Sequence, residues 1–356
     1  MRFQRGLFYC YLSLLLVCGC NDKVMDSKPV CIQVADTLDE AAWELKTKSG
    51  ADLAYILQDG EQNITTKIGC YAADKDSYGV FKDFFSDVIT RYHGFDPRKV
   101  SQICSRNVNN LIIPRDFKSN NEVVSTRVRI ARNVDGFNFP SKMSKKERIS
   151  LEAKIIKAIE ESGLKGKYYS LDDIGISKQK QLIAGGILFK NAMENPDLVS
   201  AGIANDWPVG RGIFISDDKR LIIWINEEDH VKVIGLCDGY NFYDSLKVSN
   251  SGLYLLSKHL SFAMLPDIGY LTSSPANVGT GMKAGIRIKL SNFDAYKAKK
   301  FQRKMAKKKM AFYSINNDDY LDDNEVFDIH NMVSFGATEV QIINDMHGKL
   351  IKEKLI

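Results

Sequence analysis

Apolar side chains recur at helical spacing from about Ala35 to Tyr92. Trp43 and Leu45, then Leu53, Tyr55, Ile56 and Leu57, lie on short amphipathic stretches, and Val80, Phe81, Phe84, Phe85, Val88 and Ile89 extend the pattern as a longer stripe. This predicts a small helical domain over residues 30–114. Between Gly94 and Asn121 the pattern lapses into polar residues with Pro97, Pro114 and several asparagines, which marks a linker. A larger domain follows over 115–356. Within it, β-branched alternation at 123–130 and apolar runs at 212–215, 221–225 and 285–290 predict strands, with helices between them at 145–162 and near 253–263. No regular β-α-β cadence appears. The expected class is therefore α+β: an N-terminal all-α domain, then a mainly antiparallel β-sheet flanked by helices.

The first twenty residues depart from this. Arg2 and Arg5 precede an apolar run over 7–17, followed by Cys18-Gly19-Cys20, the order of a secretory signal and too short for a stable membrane span. Cleavage after Gly19 would expose Cys20, in loose likeness to a bacterial lipoprotein box. A short anchor or a misassigned start is the alternative. The expected location is secreted or cell-surface if the signal is used, and cytoplasmic otherwise.

Composition is that of an ordinary globular chain, with 44% hydrophobic and 26% charged residues over 356 positions. A net charge of +5 suits a small anionic ligand and falls short of a nucleic-acid footprint. The seven cysteines, at 10, 18, 20, 31, 70, 104 and 237, contain no metal-binding spacing. In an oxidising compartment Cys31, Cys70 and Cys104 can pair, with connectivity open. Asn63-Ile64-Thr65 is a glycosylation sequon that chance also explains.

The candidate chemistry centres on Asn226-Glu227-Glu228-Asp229-His230, which follows the strand-like run Leu221-Ile222-Ile223-Trp224-Ile225. Crowding three carboxylates behind a buried strand is costly, which sets the group apart from an ordinary acidic turn. Arg127 and Arg129, two apart on a strand, point to one face, and guanidinium forks grip phosphate oxygens bidentately. No glycine-rich phosphate loop is present, so arginine and lysine side chains must hold any phosphate. Arg211, in Trp207-Pro208-Val209-Gly210-Arg211-Gly212, either lies near phosphate or pairs structurally. The lysine-rich stretch 297–309 reads as a solvated helix face, with binding of anionic polymers as the minor alternative.

These blocks, with Ser125-Thr126-Arg127-Val128-Arg129-Ile130-Ala131-Arg132, Lys67-Ile68-Gly69-Cys70-Tyr71-Ala72 and Tyr270-Leu271-Thr272-Ser273-Ser274-Pro275, resemble the phosphagen (guanidino) kinase family, and arginine kinase most in pattern. The resemblance runs from about Thr66 to the C-terminus. It implies a small α domain, an eight-stranded antiparallel sheet and an active site between the two. It also implies reversible transfer of the ATP γ-phosphoryl group to a guanidino compound, with arginine expected, in a monomer or homodimer. Mg²⁺ would be held mainly by the phosphates of ATP or ADP, with no protein metal site. The resemblance assigns catalysis to Glu228, Ser274 and Asp318. Nucleotide and phosphate binding falls to Ser125, Arg127, Arg129, Arg211, Lys232, Lys283 and Arg287, and guanidino binding to Thr66, Ile68 and Tyr71 with Glu228 and Ser274.

Several of these positions depart from the family pattern. Ser274 replaces a reactive cysteine, Lys232 and Lys283 replace clamp arginines, and Asp318 is a shortened stand-in for a glutamate in the altered loop 313–320. Gly186 and Arg287 stand where histidines face the adenosine. The competing expectation is a catalytically silent secreted or surface paralogue that keeps the fold as a binding module.

Overall fold

Among the described residues ten strands carry the architecture: β1 (Val123–Arg132), β2 (Gly166–Ser170), β3 (Gly212–Ser216), β4 (Leu221–Ile225), β5 (Val231–Asp238), β6 (Met264–Leu265), β7 (Gly269–Tyr270), β8 (Met282–Lys289), β9 (Met310–Ser314) and β10 (Val326–Asn331). Eight of them form one sheet in the order β2-β3-β4-β5-β1-β8-β10-β9, antiparallel at every pairing, while β6 and β7 pair separately. The computed structural model describes residues 28–63, 65–290, 294–315 and 325–356. The signal-like segment, Ile64 and Asp318 lie outside the described residues.

Strand periodicity splits the sheet into two chemically different faces. Val128 and Ile130 of β1, Ile223 of β4, Val231 and Val233 of β5, and Ala284 and Ile286 of β8 pack in one buried cluster against three helices, Lys145–Glu161, Phe242–Leu256 and Glu339–Lys352. The alternate residues hold the charge. Arg129 of β1 lies opposite Lys283 of β8, Ala131 opposite Lys232 of β5, and Asp328 of β10 opposite Arg287 of β8. The central position of β1 thus brings side chains from four strands onto one face.

Helix ends follow local chemistry. Ser144 with Glu147, and Thr338 with Gln341, make capping boxes at the starts of two of the three core helices. The helix expected near 253–263 instead runs Phe242–Leu256, because Asn241 caps it by accepting from Asp244 N. The lysine-rich helix, Ala295–Lys307, buries Met305, and Lys304 and Lys308 both pair with Glu353.

Short helices make up the N-terminal part, of which Lys82–His93 is the longest. Phe84, Phe85, Val88 and Ile89 share one buried cluster with Phe139, Leu271, Val278 and Phe335 from the later chain. Ala72 N donates to Ser273 O at 2.7 Å and the Tyr78 hydroxyl to Thr272 O at 2.8 Å, which pins the loop around Tyr71 beside Ser274. The polar 94–121 connector is fastened along its length, with Gln102 Nε2 on Ala337 O at 2.9 Å and Ser105 N on Glu339 Oε2 at 2.7 Å. Among the described residues no helix is long and apolar enough to cross a membrane.

Four buried histidines make the fold acid-sensitive; His347 is lowered by desolvation, and three others strongly so. Desolvation pushes His93 down to about 4, His230 to about 3 and His330 to about 4. Unfolded, each titrates near 6.5, so the denatured chain takes up protons first as pH falls and the folded state loses ground between 6.5 and 4. Asp229 opposes them. Burial, then the Glu228 charge, raises it to about 6, so acid stabilises its folded form over the same window. The sum predicts a loss of about 4 kcal/mol between pH 7 and pH 5. Urea unfolding at the two values measures it; equal midpoints would show that these imidazoles are charged in the folded chain.

Candidate active site

The segment from Asn226 to His230 is the turn between β4 and β5, closed by Asn226 N donating to His230 O at 3.0 Å. Asn226 has φ of +53°, a left-handed conformation that asparagine tolerates, and its Nδ2 donates to Gly210 O at 2.7 Å and Arg148 O at 3.1 Å. The next four side chains go four ways. Glu227 takes the Lys232 ammonium. Asp229 Oδ1 accepts from Ser273 N at 2.7 Å and Asn133 Nδ2 at 2.8 Å. His230 Nδ1 accepts from Val134 N at 2.9 Å, so its Nε2 carries the proton and donates to Asn138 O at 2.9 Å. Asp229 and His230 are therefore anchors. Glu228 faces a cavity, receiving Asn277 Nδ2 at 3.3 Å with Lys232 Nζ at 3.9 Å.

That cavity, of about 370 Å³, is bordered by Arg129, Lys232, Lys283, Glu227, Glu228 and Asn277 among others. Its cations differ in freedom. Burial pushes the Glu227 carboxyl up, but Lys232 outweighs this and holds it below the usual range. Lys283 has no hydrogen-bond or ion-pair partner among the described residues; burial and the like charges of Lys232 and Arg129 pull its ammonium down. Arg129 Nη2 pairs with Asp328 Oδ1 at 3.5 Å, while its Nε is buried without a hydrogen-bond acceptor. Buried N–H groups without acceptors are costly, and a phosphate oxygen would satisfy them.

Deeper on the same face, Arg127 Nη1 donates to Gly186 O at 2.7 Å, and burial with the neighbouring Arg287 and Arg129 charges lowers it to about 9. Arg287 Nε lies 3.6 Å from Asp328, and the arginine's guanidinium occupies the space a side chain at residue 186 would need. Gly186 has φ of +65°, which suits glycine. Asp328, between Arg129, His330 and Arg287, is held well below the usual carboxylate range despite its burial. Ser125 sits at the same end, 3.5 Å from Arg127 Nε.

A second cavity, about 320 Å³, lies beside the first and is bordered by Thr66, Ile68, Tyr71, Tyr92, Asp197 and Ser274. Glu228, which borders the first, acts on the second through its charge: burial first, then Glu228, raises both Tyr71 and Tyr92, the latter to about 12. Ser274 Oγ accepts from Ala276 N at 3.3 Å, capping the short turn Pro275–Asn277 that carries Glu228's partner.

Of the residues expected from sequence, Glu228, Arg129, Lys232 and Lys283 thus meet in one cavity, and Thr66, Ile68, Tyr71 and Ser274 in the next. Arg211 stands apart from both. It is fully buried, donating to Ile203 O at 2.7 Å, Asn205 O at 3.0 Å and Val209 O at 3.2 Å, so the phosphate role gives way to the structural one, with backbone carbonyls in place of the carboxylate. Sequence reasoning missed Asn277, Asp197, Asp328 and His330. The alternation in Val326-Phe327-Asp328-Ile329-His330 held a signal for the last two, since it sets both on the face opposite Phe327 and Ile329.

Residues 37–90 match the family model described as ATP:guanido phosphotransferase, N-terminal domain, and 149–355 the C-terminal catalytic domain of the same family. Arginine kinase of Liolophura japonica is 34% identical over 303 residues, covering 85% of this chain and 86% of that protein. Creatine kinase B-type of Gallus gallus is 35% identical over 309 residues, 84% of this chain and 80% of that one. Among solved structures, lombricine kinase superposes with a TM-score of 0.79 at 27% identity over 93% of both chains. The substrate-free duplicated taurocyamine kinase of Schistosoma mansoni gives 0.80 at 28% identity; this chain covers 48% of it. With two family models spanning both parts of the fold and relatives above 30% identity across most of their length, the chain belongs to the ATP:guanido phosphotransferase family.

Proposed function

We propose that the chain transfers the γ-phosphoryl group of MgATP reversibly to arginine. The observation that carries this reading is the position of Glu228, a carboxylate that borders the cation-lined cavity and whose charge reaches Tyr71, which borders the second cavity with Thr66 and Ile68. A guanidinium is a cationic, poor nucleophile; a carboxylate against it orients it and accepts a proton as it attacks. Arg129, Lys283 and the deeper Arg127 supply charge for phosphate, and the Nε of Arg129, buried without an acceptor, fits an anionic oxygen. Mg²⁺ would enter on the nucleotide. Bound there, it neutralises phosphate charge.

Arginine is favoured over guanidino compounds with a purely anionic tail by the second cavity's rim. Asp197 and Lys67 both border it, one for an α-ammonium and one for a carboxylate. The basic, apolar and small-residue order of residues 2–20 supports a secretory route.

A second reading, a silent paralogue, is favoured by Arg287 filling the space above Gly186. Calorimetric titration with MgADP and a coupled assay over arginine, creatine, taurocyamine and lombricine separate the two. Arginine turnover with saturable MgADP binding is expected. No binding at millimolar nucleotide would select the silent paralogue, and preference for another guanidino compound would overturn the substrate.

A further inference from the structure

The four described cysteines are reduced, and two of them meet. Cys31, on the helix Val30–Ala35, packs against the loop 65–71 itself: its backbone N donates to Ile68 O at 2.9 Å, while Val30 N donates to Lys67 O at 3.1 Å. Its Sγ fills the space over Gly60 and Gly69, where an added Cβ would lie only 2.5 and 2.8 Å away. Gly69 precedes Cys70, so the Cys31 Sγ that lies over Gly69 is a neighbour of the Cys70 thiol, and both are fully buried. The other two thiols lie elsewhere. Cys104 neighbours Glu339, and Cys237 accepts from Arg220 Nη2 at 3.4 Å.

A buried cysteine is ordinarily a small apolar filler. Two neighbouring buried thiols, in a chain that opens with a signal-like segment, have further chemistry open to them. We propose that Cys31 and Cys70 are a disulfide site, oxidised as the chain folds in an oxidising medium and tying the helix Val30–Ala35 to the loop 65–71. The oxidant is a small disulfide of the glutathione class. One cysteine thiolate attacks it, forming a mixed disulfide and releasing one small thiol; the second cysteine then displaces the other. The balance is two protein thiols and one small disulfide giving one protein disulfide and two small thiols.

Timing follows from burial. In the folded chain desolvation and the neighbouring Cys31 hold the Cys70 thiol well above its ordinary range, so thiolate is scarce and exchange slow. The bond therefore forms before the loop closes over Cys31, and once formed it is shielded from reductant.

The test maps thiols. The full chain is denatured, refolded in mixed oxidised and reduced glutathione, trapped with iodoacetamide, digested and weighed. A Cys31–Cys70 cross-linked peptide is expected, with Cys104 and Cys237 alkylated. The oxidised protein should melt at least about 5 °C above the reduced one, because the bond removes disorder from the unfolded chain. The same map on protein exported to a bacterial periplasm checks the result without refolding. Alkylation of both Cys31 and Cys70 in folded protein from these preparations, or a cross-link from either to another cysteine, overturns the proposal.

Discussion

Glu228→Gln is expected to lower kcat for phosphoryl transfer by roughly 10²- to 10⁴-fold, the range of a lost proton acceptor at a reacting group. The change is nearly isosteric. A glutamine oxygen can still accept from Asn277 Nδ2, now at 3.3 Å from the carboxylate, and Lys232 keeps Glu227 as its partner, so the turn between β4 and β5 should hold. What disappears is the negative charge that borders the first cavity and reaches Tyr71 of the second. An independent readout accompanies the kinetics: Tyr92, raised to about 12 by burial and then by Glu228, should titrate lower in the variant. A coupled assay showing unchanged kcat in a protein whose Tyr92 has shifted would remove Glu228 from the chemistry.

Arg129→Ala should damage both binding and fold. A charge-assisted phosphate contact contributes about 1.5–3 kcal/mol, so kcat/KM for MgATP should fall by roughly ten- to a hundredfold through that contact alone. The guanidinium also faces the buried Asp328 at 3.5 Å, and removing one member of a buried ion pair costs about 3–5 kcal/mol. Arg129→Lys separates the effects: it restores most stability, because the charge remains, but recovers activity only in part, because the fork is gone. Denaturant midpoints beside steady-state kinetics measure both. A midpoint for the alanine variant equal to wild type would mean that Arg287 and His330 satisfy Asp328 without Arg129.

Much of the arrangement was legible before any coordinates. Alternation in residues 123–130 and the apolar runs at 212–215 and 221–225 encode strands because each must bury one face or both, and sequence spacing records that need directly. Arg127 and Arg129 on one face follow from the same period. The start of the helix Phe242–Leu256 was harder to read, since it rests on one cap at Asn241. Spacing was also silent on which neighbour each charge would find. The three carboxylates after Asn226 look alike in sequence; their roles separate only when Lys232, Asn277 and Asn133 arrive from other segments. Arg211 illustrates the same limit, because a charged residue in a glycine-rich turn gives no sign of the carbonyls that enclose it.

The mutual filling of space by Gly186 and Arg287 sets the order in which these positions can change. A β-carbon at 186 collides with the Arg287 guanidinium and also meets a φ of +65°, so a side chain arriving there first is rejected twice. Shortening Arg287 removes the collision but exposes Asp328 to the loss of a cation 3.6 Å away. The pair is therefore epistatic: paired histidines at these positions are reached through residue 287 before 186, or by both at once. A library of single substitutions would miss that combination and report residue 186 as immutable.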